Sequence, residues 1–341
     1  MNQTNVAVVG CGFFARNHLH AWKDLAAKGV ELKAVCDVDP AKAKAAAETF
    51  GVPRWYQDMG KMLEEEKPDL VDIVTRVETH RALVELSVGR RVPTIVQKPF
   101  GPDLAACKAM TEVARSAGVF LAVHENFRFQ FPMRKIADLL HEGAIGEPSW
   151  ARISFRTGYD IYKGQPYLLR EERFVIMDLG VHVLDLARAF LGEVEHLSAE
   201  TQRRNPKARA EDTATMMLKH KSGAVSVVEC TYGAYRKPDL FPETLMEIEG
   251  PKGAIVLRPG SVIEATVDGS MTRNDVDAPV LAWAERPWHI IQESVLATCS
   301  HILDALRTSR PAATSADDNL KTIDLCEAAY KAANTGAAVR L

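Results

Sequence analysis

The first 124 residues alternate short apolar runs with amphipathic stretches of helical period. The apolar runs predict strands, and the stretches between them predict helices. The predicted strands are Asn5–Val9, Glu31–Cys36, Leu70–Thr75, Thr94–Gln97 and Val119–Val123. The predicted helices are Phe14–Lys28, Pro40–Phe50, His80–Val88 and Leu104–Ala117. Because strands that alternate with helices pair in parallel, we expect a doubly wound parallel sheet here.

Beyond residue 124 the pattern becomes rich in strands, with helices predicted near Met133–His141, Leu179–Leu191, Ile291–Ser309 and Asn319–Thr335. The predicted strands are Pro148–Thr157, Glu195–Gln202, Thr213–Lys219, Ala224–Thr231, Leu245–Glu249, Ala254–Leu257 and Val262–Val267. Such a run of strands favours a mostly antiparallel sheet. The chain is therefore predicted to be an α/β protein of two domains. Residues 1–124 form the doubly wound sheet, and residues 125–341 form an α/β domain with a large open sheet. The C-terminal helices are candidates to pack back on the first domain.

A Gly-x-Gly-x-x-Ala turn, Gly10 to Ala15, joins the first strand to the first helix. Gly10 permits a sharp turn, and Gly12 lets the backbone approach a pyrophosphate. Phe13 and Phe14 stand at the start of the helix, where free N–H groups bind phosphate. The turn predicts a dinucleotide-binding domain.

Asp37 follows the second strand, 22 residues after Ala15. A carboxylate there accepts hydrogen bonds from ribose hydroxyls and repels a 2′-phosphate, which favours NAD over NADP. The sequence Asp37-Val38-Asp39-Pro40 is also typical of a turn with a helix cap. From the residues alone, Asp37 can be either a ribose ligand or part of a turn that caps the next helix.

Two further segments contain residues that could take part in catalysis. Lys98 precedes Pro99, which disfavours helical geometry, so Lys98 is expected at the carboxyl edge of the sheet, where ligands bind. On a helix, Asp178, His182 and Asp185 share one face that is otherwise apolar. Histidine is suited to take a proton near neutral pH. The structural alternatives are that Lys98 is a surface lysine, that Asp178 caps the helix and that His182 is a buried core histidine.

Composition narrows the function classes. The chain has 341 residues and a net charge of −3, so it lacks the broad basic surface of nucleic-acid-binding proteins. No apolar run approaches the roughly 18 residues that cross a bilayer. The six cysteines lack Cys-x-x-Cys or zinc spacing, and no third ligand accompanies Asp178 and His182. We expect a cytoplasmic protein without a metal, nucleic-acid or membrane partner.

Taken in order, the motifs resemble those of the glucose–fructose oxidoreductase, inositol dehydrogenase and MocA family. The matching segments are Gly10–Ala15, Lys98-Pro99, Glu125–Phe129, Asp178–His182 and Asp318–Tyr330. The resemblance implies a Rossmann domain that binds NAD and a second domain that binds substrate and forms a homodimer or homotetramer. It also implies that Lys98, Asp178 and His182 catalyse hydride transfer from a sugar or polyol.

Two segments depart from the family pattern. Gln97 stands where the family usually has Glu before the lysine, although its amide can still bind a ribose hydroxyl. Thr75 and His80 match the family's loop, whereas Arg76 and Val77 do not, which leaves the contacts of this loop to the cofactor open. Thr75, His80, Gln97 and Lys98 are accordingly the further predicted cofactor contacts.

Asn126 and Arg128 follow the last parallel strand and are predicted to bind substrate, with Arg156 a weaker candidate. The segment His124–Gln130 resembles bacterial aldose dehydrogenases, including those that act on D-apiose, which implies oxidation to a lactone. The residues leave other functions open. These are an inositol or other polyol dehydrogenase, a non-catalytic dinucleotide-binding regulator, and a redox enzyme that never releases its cofactor.

Overall fold

The computed structural model describes residues 3–341, which cluster into two compact units. Unit 1 extends to Asn126 and also includes Ser294–Ile323. Unit 2 comprises Phe127–Glu293 and Asp324–Leu341. Among residues 3–341, no helix has both the length and the apolar character that crossing a membrane requires.

Unit 1 is built on a parallel sheet that has six strands in the described part of the chain. The strands are β1 (Thr4–Val9), β2 (Val30–Cys36), β3 (Arg54–Tyr56), β4 (Leu70–Ile73), β5 (Thr94–Gln97) and β6 (Leu121–His124). Their order across the sheet is β3-β2-β1-β4-β5-β6, and each neighbouring pair is parallel. In such a sheet, ligands bind at the carboxyl ends of the strands, where the order reverses between β1 and β4.

The helices of unit 1 connect these strands. They are α1 (Ala15–Asp24, continued by a 3₁₀ turn at Leu25–Lys28), α2 (Pro40–Phe50), α3 (Met59–Glu66), α4 (Val77–Gly89) and α5 (Leu104–Ala117). Asp39 and Asp103 cap α2 and α5 by accepting backbone N–H groups, and Gly51 and Gly118 end these helices in left-handed conformation. The capping signals in the sequence therefore fix both ends of these two helices.

The core of unit 1 lies around β1 and the inner face of α1. Its buried side chains include Val8, Leu19, Trp22 and Ile95. Val295, Ile302 and Leu303, from the C-terminal part of the chain, belong to the same cluster. Two segments far apart in sequence therefore share this core.

Unit 2 contains a sheet that has nine strands among the described residues. They are β7 (Trp150–Arg156), β8 (Val194–Gln202), β9 (Thr213–His220), β10 (Val225–Thr231), β11 (Leu245–Gly250), β12 (Gly253–Arg258), β13 (Val262–Val267), β14 (Ser270–Asp275) and β15 (Val339–Arg340). The order is β14-β13-β12-β11-β7-β10-β9-β8-β15. Neighbouring strands are antiparallel except β7 and β10, which are parallel.

The remaining helices follow a 3₁₀ turn at Phe127–Phe129. They are α6 (Phe131–His141), α7 (Ile161–Gly164, followed by a 3₁₀ turn at Pro166–Arg170), α8 (Val181–Leu191), α9 (His289–Arg307) and α10 (Ala316–Thr335). Helix α8 packs on β7 and β10. A π-helical turn, Ile176–Gly180, leads into α8, so the regular helix begins two residues later than the sequence predicts.

The fold class predicted from the sequence is confirmed: a parallel, doubly wound sheet and a mostly antiparallel sheet are both present. The strands β3, β14 and β15 and the helices α3 and α7 were not predicted from the sequence. Strand β14 is exposed at all six residues, so no alternation of apolar and polar positions marks it. The strands β3 and β15 and the helix α7 have two to four residues, too few to show a period.

Candidate functional site

The glycine turn after β1 has the geometry that a dinucleotide pyrophosphate needs. Gly10 has φ +96°, and a Cβ at this position would lie 2.2 Å from the carbonyl oxygen of Val74, so only glycine fits. A Cβ on Gly12 would meet nothing within 4 Å, so this backbone faces open space. The capping residue of α1, Phe14, makes no side-chain hydrogen bond to the first turn, and Phe13 is 74% exposed. The turn therefore offers main-chain N–H groups to an anion.

Asp37 lies beside this turn, as the sequence predicts for a ribose ligand. One carboxylate oxygen accepts the N–H of Cys11 at 2.8 Å, and the other accepts the N–H of Asp39 at 2.9 Å. A carboxylate has about four lone-pair positions, so it can bind two backbone groups and still accept hydroxyls. The capping role belongs to Asp39, which bonds the N–H groups of Ala41 and Lys42.

The change Asp37→Asn is expected to weaken the discrimination between the two dinucleotides. It removes the negative charge that repels a 2′-phosphate, an effect of about 1.4 kcal/mol or tenfold at this exposure. We expect the ratio of NAD⁺ to NADP⁺ affinity, measured by nucleotide titration, to fall about tenfold. The matched control is Asp39→Asn, two residues away, which should leave the ratio unchanged. An unchanged ratio in the Asp37 variant would remove this residue from the ribose site.

The loop after β4 is held by His80. Its Nδ1 lies 3.2 Å from the carbonyl oxygen of Phe100, and its Nε2 lies 3.2 Å from that of Thr75. The side chain is fully buried, and burial lowers the pKa of His80 against the opposite effect of these carbonyls. His80 thus links the chain after β4 to the chain after β5. Thr75 is half-buried at the carboxyl end of β4, where its Cγ2 is 3.0 Å from the position of a Cβ on Gly10.

Gln97 and Lys98 lie at the carboxyl end of β5. The Gln97 side chain is buried, and its Oε1 accepts the backbone N–H of Lys98 at 2.6 Å. Its Nε2 lies 3.0 Å from Nε2 of His18. Lys98 is half-buried, and the peptide bond to Pro99 is cis. Gln97 therefore uses both ends of its amide inside unit 1.

In unit 2, His182 lies in the first turn of α8 and is 3% exposed. Its ring stacks on Phe127, with centroids 3.8 Å apart and planes at 4°. A flat contact of this kind fixes the plane of an imidazole and leaves its ring nitrogens at the edge. The sequence places His182 on a buried helix, which the structure confirms, but it gave no indication of Phe127.

Asp178 lies in the π-helical turn and is half-buried. The hydroxyl of Tyr232 donates to its Oδ2 at 2.7 Å. Tyr232 is buried, and burial together with the nearby Asp178 charge raises the pKa of its phenol well above the usual value. The phenol therefore stays protonated and acts as a donor that orients the carboxylate. Tyr232 was not predicted from the sequence, because a tyrosine after a strand has no feature that marks it as part of a site.

Asp185 is fully buried one turn further along α8. Arg128 binds it through two nitrogens of its guanidinium group: Nη2 donates to Oδ1 at 2.7 Å, and Nε donates to Oδ2. Arg188 also approaches Oδ1, at 3.7 Å. A buried carboxylate needs such partners, because removal from water is costly for an isolated charge. Arg128, predicted to bind substrate, is thus placed as the partner of Asp185.

We expect Arg128→Met to destabilise the protein by about 3 kcal/mol, because it leaves the charge of Asp185 buried without its principal partner. The measurement is the free energy of unfolding in urea. Arg209→Met is the matched control: Arg209 pairs with Glu172 at the surface, where a salt bridge contributes less than about 1 kcal/mol. A stable Arg128 variant whose KM for substrate rises sharply would instead favour direct substrate binding.

The other two predicted substrate residues have different surroundings. Asn126 is buried in unit 1, where its amide nitrogen donates to the hydroxyl of Ser294 at 2.6 Å. Arg156 donates to Glu229 at 2.8 Å. Successive strand residues point to opposite faces, and Phe155 lies 6.0 Å from the Phe127 ring. The structure therefore places Arg156 on the sheet face opposite to that of Phe127 and His182.

A buried polar cluster in unit 1 was also missed. Its centre is Asp72, a fully buried carboxylate in the middle of β4, bonded to His18 and Trp22 of α1. The signal was present in the sequence, because a charged residue inside the apolar run Leu70–Ile73 needs buried partners.

Two family models match the chain. Residues 4–125 match an oxidoreductase family with an NAD-binding Rossmann fold, and residues 133–256 match the GFO/IDH/MocA C-terminal domain. Together they cover more than half of the 341 residues.

Curated proteins and solved structures show similarity over nearly the whole chain. A D-apiose dehydrogenase of Rhizobium rhizogenes is 48% identical over 99% of this chain and 98% of its own length. One of Paraburkholderia graminis is 46% identical over 98% of this chain and 89% of its own. An oxidoreductase of Agrobacterium radiobacter, solved with NAD⁺, L-tartaric acid and magnesium, has a TM-score of 0.97 and 47% identity. That match covers 99% of this chain and 98% of the other.

Proposed function

Because the chain belongs to the GFO/IDH/MocA oxidoreductase family, we propose that it is an NAD-dependent dehydrogenase that oxidises D-apiose, or a closely related aldose, to its lactone. The observation that carries the proposal is the 48% identity to a D-apiose dehydrogenase, which extends over 99% of this chain. The matched region spans every motif identified in the sequence.

The residues at the carboxyl edge of the parallel sheet fit the dinucleotide. In this proposal, the N–H groups from Gly12 to Phe14 bind the pyrophosphate and Asp37 binds the adenosine ribose. The open space above Gly12 and the carboxylate beside Cys11 support this assignment. When bound, NAD⁺ accepts a hydride from the substrate carbon.

Lys98 and His182 are proposed to act on the same substrate hydroxyl. His182 takes the proton of the hydroxyl as the carbon loses its hydride, so the substrate gives up two electrons and two hydrogens. The Lys98 ammonium binds the same oxygen and stabilises the negative charge that develops on it. Two contacts support these roles. The hydrogen bond to Gln97 fixes the backbone from which the Lys98 side chain extends, and the stacking on Phe127 fixes the plane of the His182 ring.

Asp178 is proposed to orient the substrate or His182. The hydrogen bond from Tyr232 holds its carboxylate in one position, and the second carboxylate oxygen can accept a further hydroxyl. Asn126 is the proposed substrate ligand from unit 1, and Arg156 remains a prediction. Asp185, held by Arg128, is a candidate to fix the position of α8 beneath His182.

The test is NADH formation, followed by absorbance, over a panel of D-apiose, other aldoses and myo-inositol. We expect D-apiose to give the highest kcat/KM, with NAD⁺ preferred to NADP⁺. The product distinguishes the alternatives, because a lactone reacts with hydroxylamine to give a hydroxamate and an inosose ketone does not. Highest activity on myo-inositol without hydroxamate would replace the proposal with a polyol dehydrogenase.

Two other outcomes would contradict the proposal. Tight NAD⁺ binding without turnover of any sugar would indicate a dinucleotide-binding regulator. Protein that is purified with bound NAD(H), and that interconverts sugars without net formation of NADH, would indicate a redox enzyme that never releases its cofactor.

We also propose that the protein works in the cytoplasm as a homodimer or homotetramer through the sheet of unit 2. All six cysteines, which lie within the described residues, are free thiols, as is usual in a reducing compartment. Met217 on β9 and Met271 on β14 are 55% and 67% exposed. Light scattering after size exclusion measures the assembly, and a monomer at micromolar concentration would contradict it.

A further inference from the structure

Four buried side chains of unit 1 form a chain of hydrogen bonds that ends at the backbone of Lys98. The indole N–H of Trp22 and Nδ1 of His18 each lie 2.7 Å from Oδ2 of Asp72. Nε2 of His18 lies 3.0 Å from the amide nitrogen of Gln97. Oε1 of Gln97 is 2.6 Å from the Lys98 backbone nitrogen. The side chains of Trp22, His18 and Asp72 are fully buried, and that of Gln97 is 7% exposed.

The backbone N–H of Lys98 determines which atoms carry the protons in this series of hydrogen bonds. Its N–H can only donate, so the group of Gln97 that faces it must be the carbonyl oxygen. The amide NH₂ of Gln97 then faces His18, and because it also can only donate, Nε2 of His18 must be the acceptor. His18 therefore carries its proton on Nδ1, which points at Asp72.

At the other end of this series of hydrogen bonds, Asp72 also requires the proton of His18 to be on Nδ1. Oδ2 of Asp72 faces the indole N–H of Trp22, which can only donate, and the hydrogen bonds from His18 and Trp22 help to lower the pKa of Asp72 against the opposite effect of burial. Asp72 is therefore an ionised acceptor, and both groups that face it donate. The imidazole of His18 is neutral, since one of its nitrogens has no proton.

We propose that His18, Asp72 and Gln97 are positioning residues for Lys98, and that the amide at position 97 holds His18 in its neutral, Nδ1-protonated form. The inference rests on the catalytic role proposed for Lys98. Each group in the chain has one allowed orientation, so the point where the main chain leaves β5 is fixed. A carboxylate at position 97 would place an acceptor against Nε2 of His18, which would then need a second proton.

The neighbouring His124 and Cys299 do not change this assignment. The ligand atoms of His18, His124 and Cys299 lie within 4.8 Å of one another, a set of residue types that binds zinc. Both ring nitrogens of His18 already have partners, however. Burial lowers the pKa of His124 to about 3, so this second imidazole is also neutral.

The direct test is ¹⁵N NMR of the histidine side chains in the wild-type protein at neutral pH. We expect His18 to show a protonated Nδ1 and an unprotonated Nε2. A proton on Nε2 would overturn the proposal. This measurement needs neither turnover nor a variant, so it separates the inference from the proposed function.

The variant test is Gln97→Glu, with Gln202→Glu as the matched change on an exposed strand residue of unit 2. We expect Gln97→Glu to protonate both nitrogens of His18 and to add an ionisation to the pH profile of kcat. Gln97→Met, which removes the acceptor of the Lys98 N–H, should lower kcat about tenfold. If Gln97→Glu left both the NMR state of His18 and the pH profile unchanged, the proposal would be wrong.

Discussion

Lys98→Met is expected to lower kcat for the sugar by about 10³-fold while the affinity for NAD⁺ stays nearly constant. Methionine keeps the length of the side chain and removes the ammonium group, so the oxygen that loses its proton also loses its charge-stabilising partner. A single donor of this kind contributes about 10²–10³-fold to catalysis. The measurements are kcat from NADH absorbance and the NAD⁺ dissociation constant from nucleotide titration.

The control is Lys108→Met, the same change at an exposed position of α5 in the same unit. It should leave kcat unchanged. A deuterium label on the reacting carbon adds a second readout, because the isotope effect on kcat should rise once the chemical step becomes slow. A Lys98 variant with a kcat within tenfold of the wild type would remove this residue from the chemistry.

His182→Ala is expected to lower kcat by about 10²–10⁴-fold, the usual contribution of a general base. The loss should be largest at neutral pH and smaller at high pH, where hydroxide can take the hydroxyl proton. Added imidazole should restore part of the activity, since the variant leaves a gap beside Phe127 in which a free ring can stack. The pH profile and the imidazole dependence of kcat are the measurements.

His141→Ala, an exposed histidine of α6, is the matched control and should show neither effect. Loss of activity in His182→Ala without any response to imidazole or pH would favour a structural role. In that case, the free energy of unfolding should fall along with kcat.

Local features of the site were predictable from the sequence because short motifs dictate their geometry. Only glycine tolerates the close approach of Gly10 to the carbonyl of Val74, so the motif predicts the turn itself. Asp37 follows from the length of one strand–helix–strand repeat. Lys98 was placed at the end of β5 because Pro99, which follows it, disfavours helical geometry.

Tertiary pairings could not be predicted in this way. Arg128 and Asp185 are 57 residues apart, and nothing in either segment indicates that one binds the other. The contact between Asp178 and Tyr232 depends on how α8 packs on β10 and on a π-helical turn that has no sequence signature. Asp72 differs from these cases, because a carboxylate inside an apolar strand was itself a signal that its partners lie in the core.

The π-helical turn Ile176–Gly180 contains Asp178 and leads into α8. The direction in which Asp178 points relative to α8 therefore depends more on the number of residues in this turn than on their types. Each residue of a regular helix turns the chain by about 100°. Deleting one residue here would restore regular winding and swing Asp178 away from Tyr232, while α8 and His182 stayed in place. Insertions and deletions in this short segment can therefore reorient one acidic group independently of the imidazole that follows it.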